Sequence, residues 1–119
     1  MKKILFVLLL AGIANAAMAQ SPNAVKLSVP DSTRKILKAE ASCGECQFKM
    51  HSKGCHLAVR FPDGKSYFVE GASIDDFGDA HASDGFCESI RKAEVQGEIV
   101  DNKFKPTYFR ILREAPKKN

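Results

Sequence analysis

The chain has 119 residues, of which 45% are hydrophobic, and its 18 lysines and arginines against 14 acidic residues give a formal net charge of +4. This length corresponds to one domain, and the mild charge argues against a nucleic-acid-binding protein, which would present a strongly basic face. The four cysteines, an even number, are typical of disulfides or of a thiolate metal site.

The first residues have the pattern of a secretory signal peptide. Two lysines precede an apolar run over residues 4–13, and small residues lead to an Ala-Met-Ala sequence that ends at Ala19. This order predicts cleavage near Ala19 and a soluble, exported protein in the periplasm or outside the cell. The apolar run is about half the roughly 20 residues that a membrane-spanning helix needs. We therefore expect no transmembrane segment.

The remaining chain divides into three parts. We expect a flexible lead-in over residues 20–34, a β-barrel domain over residues 35–113 and a frayed tail over residues 114–119. The lead-in is polar and rich in turn-forming residues, as mobile termini are. A domain of this size buries a modest core, and exported domains often add covalent or metal cross-links. We expect a monomer.

Five segments have the composition of β-strands. From Leu37 to Cys43, apolar and polar residues alternate, which predicts a half-buried strand that points Cys43 inward. Residues 57–61 and 67–69 flank a Pro62-Asp63-Gly64 turn and form a predicted hairpin. Two further strands, over residues 93–99 and 104–112, flank a turn near residue 101. Pro106 indicates an edge strand or a bulge in the last of them.

Between the third and fourth strands we expect one short helix of about nine residues. Asp84 suits the N-cap position, and the basic pair Arg91-Lys92 near the end suits the helix dipole. Phe86, Cys87 and Ile90 would then face the core. The predicted fold class is mainly β with one short helix, in the order β-β-β-α-β-β.

This order of elements resembles the OB-fold, a small five-stranded Greek-key barrel with its helix between the third and fourth strands. The resemblance covers residues 35–113. It implies that the loop between the first two strands helps to form a binding face, and here that loop is the cysteine stretch Cys43–Cys55. Export and mild net charge argue against the nucleic-acid ligands that are typical of this fold.

Five short motifs surround the cysteines. They are Cys43-Gly44-x-Cys46, Lys53-Gly54-Cys55, Gly78-Asp79-Ala80-His81, Asp84-Gly85-Phe86-Cys87 and Ile90-Arg91-Lys92-Ala93. As a set they resemble an uncharacterised family of small, exported, cysteine-rich bacterial proteins. That resemblance implies no particular activity.

A metal site is one interpretation of the cysteines. Four thiolates can close a tetrahedral zinc site, and Cys43-x-x-Cys46 is the spacing at which two sulfurs from one turn reach the same ion. Cys55 and Cys87 would supply the other two ligands. His81, near Cys87 in the sequence, is the histidine to test first as a ligand. A mixed set of thiolate, thioether and imidazole would suit copper better than zinc.

Disulfides are the alternative that an oxidising compartment favours. A local Cys43–Cys46 bridge would close a very small loop under strain. We therefore expect crossed pairings, in which Cys87 ties the helix to the barrel and another bridge closes the cysteine stretch. Two inert bridges of this kind would make the protein a structural or interaction module.

A thiol–disulfide redox protein that uses Cys43 and Cys46 is a third interpretation. No βαβ pattern surrounds the C-x-x-C sequence, which argues against a thioredoxin-like enzyme. We therefore expect a domain that binds a ligand or a protein partner rather than an enzyme, and we assign no catalytic residue. The aspartates near His81 are interpreted as a solvated acidic loop, and His51 and His56 as exposed loop residues.

Overall fold

A computed structural model of the protein describes residues 22–112. The predicted signal peptide and the predicted tail lie outside these residues. The described part contains five strands and two very short helices. In chain order they are α1 (Pro22–Lys26), β1 (Leu37–Cys43), α2 (Gly44–Gln47), β2 (Leu57–Arg60), β3 (Ser66–Val69), β4 (Arg91–Val100) and β5 (Lys103–Ile111).

The five strands close into a barrel, in the order β1-β2-β3-β5-β4, with β4 returning to β1. All neighbouring pairs are antiparallel except β3 and β5, which are parallel. This is the strand arrangement of an OB-like barrel, so the predicted fold class is confirmed. Since the connection from β3 to β4 must cross the barrel end before β4 can pair with β1, it is the long connection of the fold.

Alternation along β1 places Cys43 inward as predicted, although Leu37 at the start of the strand is exposed and the polar Ser42 is buried. Ala39, Ala41 and Cys43 are buried, with 7%, 0% and 0% of their surface exposed. Val59 and Phe104 from other strands are also fully buried in the same cluster. A strand whose alternate side chains leave water gains about 25 cal/mol for each Å² of apolar surface that it buries. The inward position of Cys43 follows from this alternation.

The turns of both hairpins lie where the sequence predicts them. The Phe61 N–H donates to the carbonyl of Lys65 across the first turn. In the second, Asp101 and Asn102 both have positive φ angles, of 52° and 61°, which suits a tight two-residue hairpin. The pairing of β4 and β5 shifts register at Gln96/Gly97, opposite Pro106. The expected irregularity at this proline is therefore a bulge.

The short helix predicted to begin at the Asp84 N-cap is wrong. The β3–β4 connection, residues 70–90, is a series of turns, and Arg91-Lys92 already belongs to β4. A Cβ atom on Gly85 would overlap the carbonyl oxygens of Asp79 and Ala80, so the chain folds back on itself here. The N–H of Cys87 donates to the Ala80 carbonyl (2.9 Å). These contacts with preceding turns replace the helical ladder.

The segment over residues 20–34, expected to be a flexible lead-in, contains ordered structure that its sequence does not indicate. The helix α1 lies within it, and Leu27, just after α1, is 4% exposed in the core cluster. The carbonyl of Leu27 accepts a hydrogen bond from the N–H of Phe109 in β5 (2.9 Å). Part of this segment therefore packs as an integral piece of the barrel.

Among residues 22–112, no helix has the length and apolar character that crossing a membrane requires.

Candidate functional site

The cysteines come from three places that meet at one end of the barrel. Cys43 is the last residue of β1, Cys46 lies on α2, and Cys55 precedes β2. Cys87 comes from the β3–β4 connection. We call these four residues the cysteine cluster. The topology explains their meeting, since β1 and β2 are antiparallel neighbours and the end of β1 faces the start of β2.

Backbone hydrogen bonds hold these three segments together. The N–H of Cys43 donates to the carbonyl of Phe86, and the N–H of Gly44 donates to the carbonyl of His56, both over 2.9 Å. The buried hydroxyl of Ser42 lies 2.6 Å from the Phe86 carbonyl. A Cβ at the position after Cys43 would lie 2.7 Å from a ring carbon of Phe68, so any residue larger than Gly44 would require its side-chain neighbours to shift.

The four sulfur atoms lie close together. Cys43 and Cys55 form a disulfide, with their Cα atoms 5.6 Å apart. The Sγ atoms of Cys43, Cys46 and Cys55 all lie within 4.8 Å of one another. The Sγ atom of Cys87 is 3.2 Å from that of Cys55. One sulfur–sulfur bond and two adjacent thiols therefore occupy this end of the barrel.

The pairing differs in part from the expected one. The bridge that closes the cysteine stretch is present as Cys43–Cys55, whereas Cys46 and Cys87 are free. Cys87 touches the disulfide without a covalent tie. The interpretation with two inert bridges therefore does not describe this state of the protein, which retains two thiols.

A carboxylate and a histidine border the disulfide. Glu45 Oε1 lies 2.6 Å from Nδ1 of His56, and its Oε2 accepts a hydrogen bond from the backbone N–H of His56 (2.9 Å). A carboxylate accepts only, so His56 carries its proton on Nδ1. Oε2 of Glu45 also lies 3.5 Å from Sγ of Cys43. The carboxylate thus faces the buried sulfur of the disulfide.

These contacts set the charge of Glu45. Desolvation raises the pKa of its carboxyl group, but the hydrogen bonds from the ring and backbone N–H of His56 outweigh that effect, and the pKa lies below the ordinary value of 4.5. Hydrogen bonds to the charged form of a carboxyl stabilise that form. Glu45 is therefore an anion at neutral pH.

The pKa of the free thiol of Cys87 is shifted in the opposite direction, upward. Burial raises its pKa, and electrostatic repulsion from the neighbouring Cys46 raises it further. The carbonyl of Cys87 accepts a hydrogen bond from the side-chain amide of Gln47 on α2 (3.0 Å). Cys87 is therefore fixed against α2 mainly as a neutral thiol, while Cys46 faces solvent.

The histidine predicted as a substitute ligand is not part of this arrangement. Among the described residues, the group of ligand atoms that converge consists of three cysteines and does not include His81. His81 is exposed, and its backbone N–H donates to a carboxylate oxygen of Asp79 (2.9 Å). His51 and His56 are exposed, as expected.

Sequence reasoning missed Glu45, His56 and Gln47 as neighbours of the sulfurs. Their roles depend on α2, one helical turn that the short Gly-Glu-Cys-Gln sequence does not reveal by periodicity. The available signal was position: Glu45 lies between the two cysteines of the C-x-x-C sequence, and His56 directly follows Cys55. Residues inside and beside such a motif are placed near its sulfurs by the chain itself.

The fold and the site define a small closed β-barrel of OB-like topology with a cysteine cluster at one end. The chain belongs to the family of unknown function DUF6370, whose model matches residues 37–112. Membership in an uncharacterised family, expected from the motifs, is thus confirmed. Comparison with curated proteins finds no match, and comparison with solved structures finds none either.

Proposed function

We propose that this protein is an exported binding domain whose cysteine cluster, when reduced, holds one thiophilic metal ion. The observation that carries the proposal is the convergence of four sulfur atoms from three separate chain segments. Three of them lie within 4.8 Å of one another, and the fourth is 3.2 Å from Cys55. Thiolates that share a single ion must come this close.

The spacing suits a tetrahedral ion. With Zn–S bonds of about 2.3 Å, the sulfurs of a four-thiolate zinc site lie about 3.8 Å apart. The distances of 3.2 Å and up to 4.8 Å lie on either side of this value. A four-thiolate site requires that the Cys43–Cys55 disulfide is first reduced to two thiols, and that Cys87, which contacts Cys55 but lies outside the group of three mutually close sulfurs, turns toward that group.

The donor set favours zinc over copper. A set of four thiolates is typical of zinc, whereas the mixed set that suits copper would need an imidazole. His81 does not join the converging ligand atoms. Cys46 is exposed and Cys87 half-buried, so an ion can enter from the solvent side. Cu(I), which also prefers thiolates, is the competing metal in the experiment.

The proposal is tested by metal titration of the reduced protein under anaerobic conditions. We expect one zinc ion per chain, counted by elemental analysis after gel filtration. The double variant Cys46→Ser/Cys87→Ser should lose this binding, because it removes the two ligands outside the disulfide. His81→Ala is the matched control and should keep it. The oxidised protein should bind none, since two of its four ligands are then bonded to each other.

Two results would contradict the proposal. Reduced wild-type protein that stays free of zinc and of Cu(I) has no such site, and a double variant that binds as well as the wild type has a site elsewhere. Circular dichroism of each variant verifies that the barrel is folded. Binding of Cu(I) alone would retain the thiolate site and replace zinc as its metal.

Export is the second part of the proposal. The leader pattern over residues 1–19 supports it, and so does a disulfide, which persists in oxidising compartments. Mass spectrometry of the protein recovered from a bacterial periplasm should give a chain that begins at Gln20. A chain that retains residue 1 would contradict export by this route.

A further inference from the structure

The cysteine cluster also contains a thiol in contact with a disulfide. Sγ of Cys87 lies 3.2 Å from Sγ of Cys55, which is bonded to Cys43. A disulfide sulfur carries no hydrogen, so only the Cys87 thiol can donate in this contact. The nucleophile of a thiol–disulfide exchange and the sulfur that it would attack are therefore already neighbours.

We propose that the disulfide moves within the protein by exchange, from Cys43–Cys55 to Cys55–Cys87. The thiolate of Cys87 attacks Sγ of Cys55, the new sulfur–sulfur bond forms, and the electron pair of the old bond leaves on Cys43. Cys43 takes up a proton in place of the one that Cys87 lost. One disulfide and one thiol are present before and after, so the step needs no external oxidant or reductant.

Exposure of the sulfurs favours attack at Cys55. Cys43 is fully buried, at 0% exposure, whereas its disulfide partner Cys55 is half-buried. The new bond requires the Cys55 and Cys87 sulfurs to approach from 3.2 Å to about 2.05 Å. A movement of this size needs a side-chain rotation and a small shift of the turns in the β3–β4 connection.

The surroundings of Cys43 stabilise the thiol that it becomes after its release. Oε2 of Glu45 lies 3.5 Å from Sγ of Cys43 and can accept a hydrogen bond from the thiol. Glu45 stays ionised because His56 donates two hydrogen bonds to it. A neutral thiol next to a carboxylate is a satisfied buried group, whereas a thiolate there would face a like charge. The Glu45 carboxylate therefore opposes the thiolate in which Cys43 first leaves and stabilises the thiol that forms once Cys43 is protonated.

Exchange changes which chain segments the disulfide links and how exposed the disulfide is. The Cys43–Cys55 bond spans 12 positions and closes the cysteine stretch on itself. A Cys55–Cys87 bond would instead link that stretch to the β3–β4 connection, and both of its sulfurs belong to half-buried residues. The second form thus presents its disulfide to external thiols, while Cys43 stays reduced inside the barrel wall.

The exchange is tested by mapping disulfides in the purified, metal-free protein. Acid stops the exchange, a maleimide labels free thiols in acidic denaturant, and digestion with mass spectrometry locates the bonds. In wild-type protein we expect peptides for both Cys43–Cys55 and Cys55–Cys87. Cys43→Ser should contain Cys55–Cys87 and have an intact mass two hydrogens below that of its fully reduced form.

Two control variants separate this exchange from random oxidation. Cys87→Ser should contain only Cys43–Cys55, and Cys46→Ser should retain both bonds. Absence of the Cys55–Cys87 peptide from wild-type protein overturns the proposal, and so does pairing of Cys55 with Cys46 in Cys43→Ser. If Cys43→Ser does not fold, the disulfide map of the wild-type protein alone tests the proposal. Because a chelator is present throughout, the outcome is independent of whether the reduced protein binds zinc.

Discussion

The carboxylate of Glu45 is the polar neighbour on which the chemistry at Cys43 depends. It is held by the ring and the backbone N–H of His56, and it faces the Cys43 sulfur at 3.5 Å. The Glu45 side chain is only 11% exposed, whereas that of His56 is 54% exposed. A partly desolvated anion beside a sulfur opposes negative charge on that sulfur. In the metal-free protein, Glu45 therefore favours the disulfide or the neutral thiol at Cys43 over the thiolate.

The lowered pKa of Glu45 predicts a pH-dependent contribution to stability. A carboxyl whose pKa is lower in the folded than in the unfolded protein stabilises the fold at pH values above the unfolded pKa. This contribution is lost as pH falls from about 4.5 through the folded pKa. We expect Glu45→Gln to lower the free energy of unfolding at neutral pH and to match the wild type in strong acid.

The measurement is urea unfolding of wild type and Glu45→Gln at a series of pH values from neutral to acid. Glu98→Gln is the control, because Glu98 is 70% exposed and loses only a surface ion pair with Arg34, which contributes little. A difference between wild type and Glu45→Gln that stays constant down to strong acid would contradict the argument.

Among the elements, the β3–β4 connection is the one that completes the cysteine cluster. It is attached to β1 by bonds to Phe86 and to Ser89, whose carbonyl lies 2.8 Å from the Ser42 hydroxyl, and to α2 by the bond from Gln47 to Cys87. These attachments come from the end of β1 and from the turn that follows it. The connection therefore has its place without being helical, because its polar backbone groups find partners in the barrel.

The segment that contains α1 yields a prediction at the same scale. Leu27 is 4% exposed and packs in the core, whereas Val29, two residues further, is 73% exposed. We expect Leu27→Ala to lower the free energy of unfolding by about 2–5 kcal/mol, because it leaves a cavity. Val29→Ala should change it by less than about 0.5 kcal/mol. Chemical denaturation of both variants measures these free energies. Equal effects of the two substitutions would show that this segment does not support the barrel.

Strand alternation and turn chemistry allowed much of the barrel to be predicted from the sequence. The inward face of β1, the two hairpin turns and the bulge at Pro106 follow from local patterns. The β3–β4 connection was misjudged because Asp84 and Arg91-Lys92 have helical end preferences that close packing around Gly85 overrides. Propensity is a weak signal when tertiary contacts oppose it.

The sequence indicated which cysteines form the candidate site, but it did not indicate which of them are bonded to each other. Four cysteines in two segments indicated convergence, but spacing alone does not fix the pairing of four cysteines. Cys46 is free and Cys87 contacts Cys55. Both facts depend on the positions of α2 and of the turns before β4. Glu45 and His56 meet only because β1 and β2 pair as neighbours. Such contacts between distant residues are a property of the folded chain.

For the molecule as a whole, we expect the Cys43–Cys55 disulfide to be a major source of stability. A small domain has a net stability of only about 5–15 kcal/mol, and closing a loop of this length contributes about 3 kcal/mol. We expect a reductant to lower the free energy of unfolding of the metal-free protein by roughly this amount. Urea denaturation with and without a dithiol measures it.

Cys46→Ser is the matched control for this prediction. Cys46 lies outside the disulfide, so this variant should respond to reductant as the wild type does. Unchanged unfolding of the wild type in reductant would mean that the bond constrains little. Adding zinc to the reduced wild type should restore stability, because a ligand that binds only the folded form stabilises it.

Cys43 is part of the barrel wall as well as of the cluster. It is the last residue of β1 and pairs with Leu57 in the β1–β2 ladder. Transplanting the cysteine stretch into another scaffold as an autonomous loop would therefore fail unless the host reproduces this strand register. A graft would have to carry the last rung of the ladder with it.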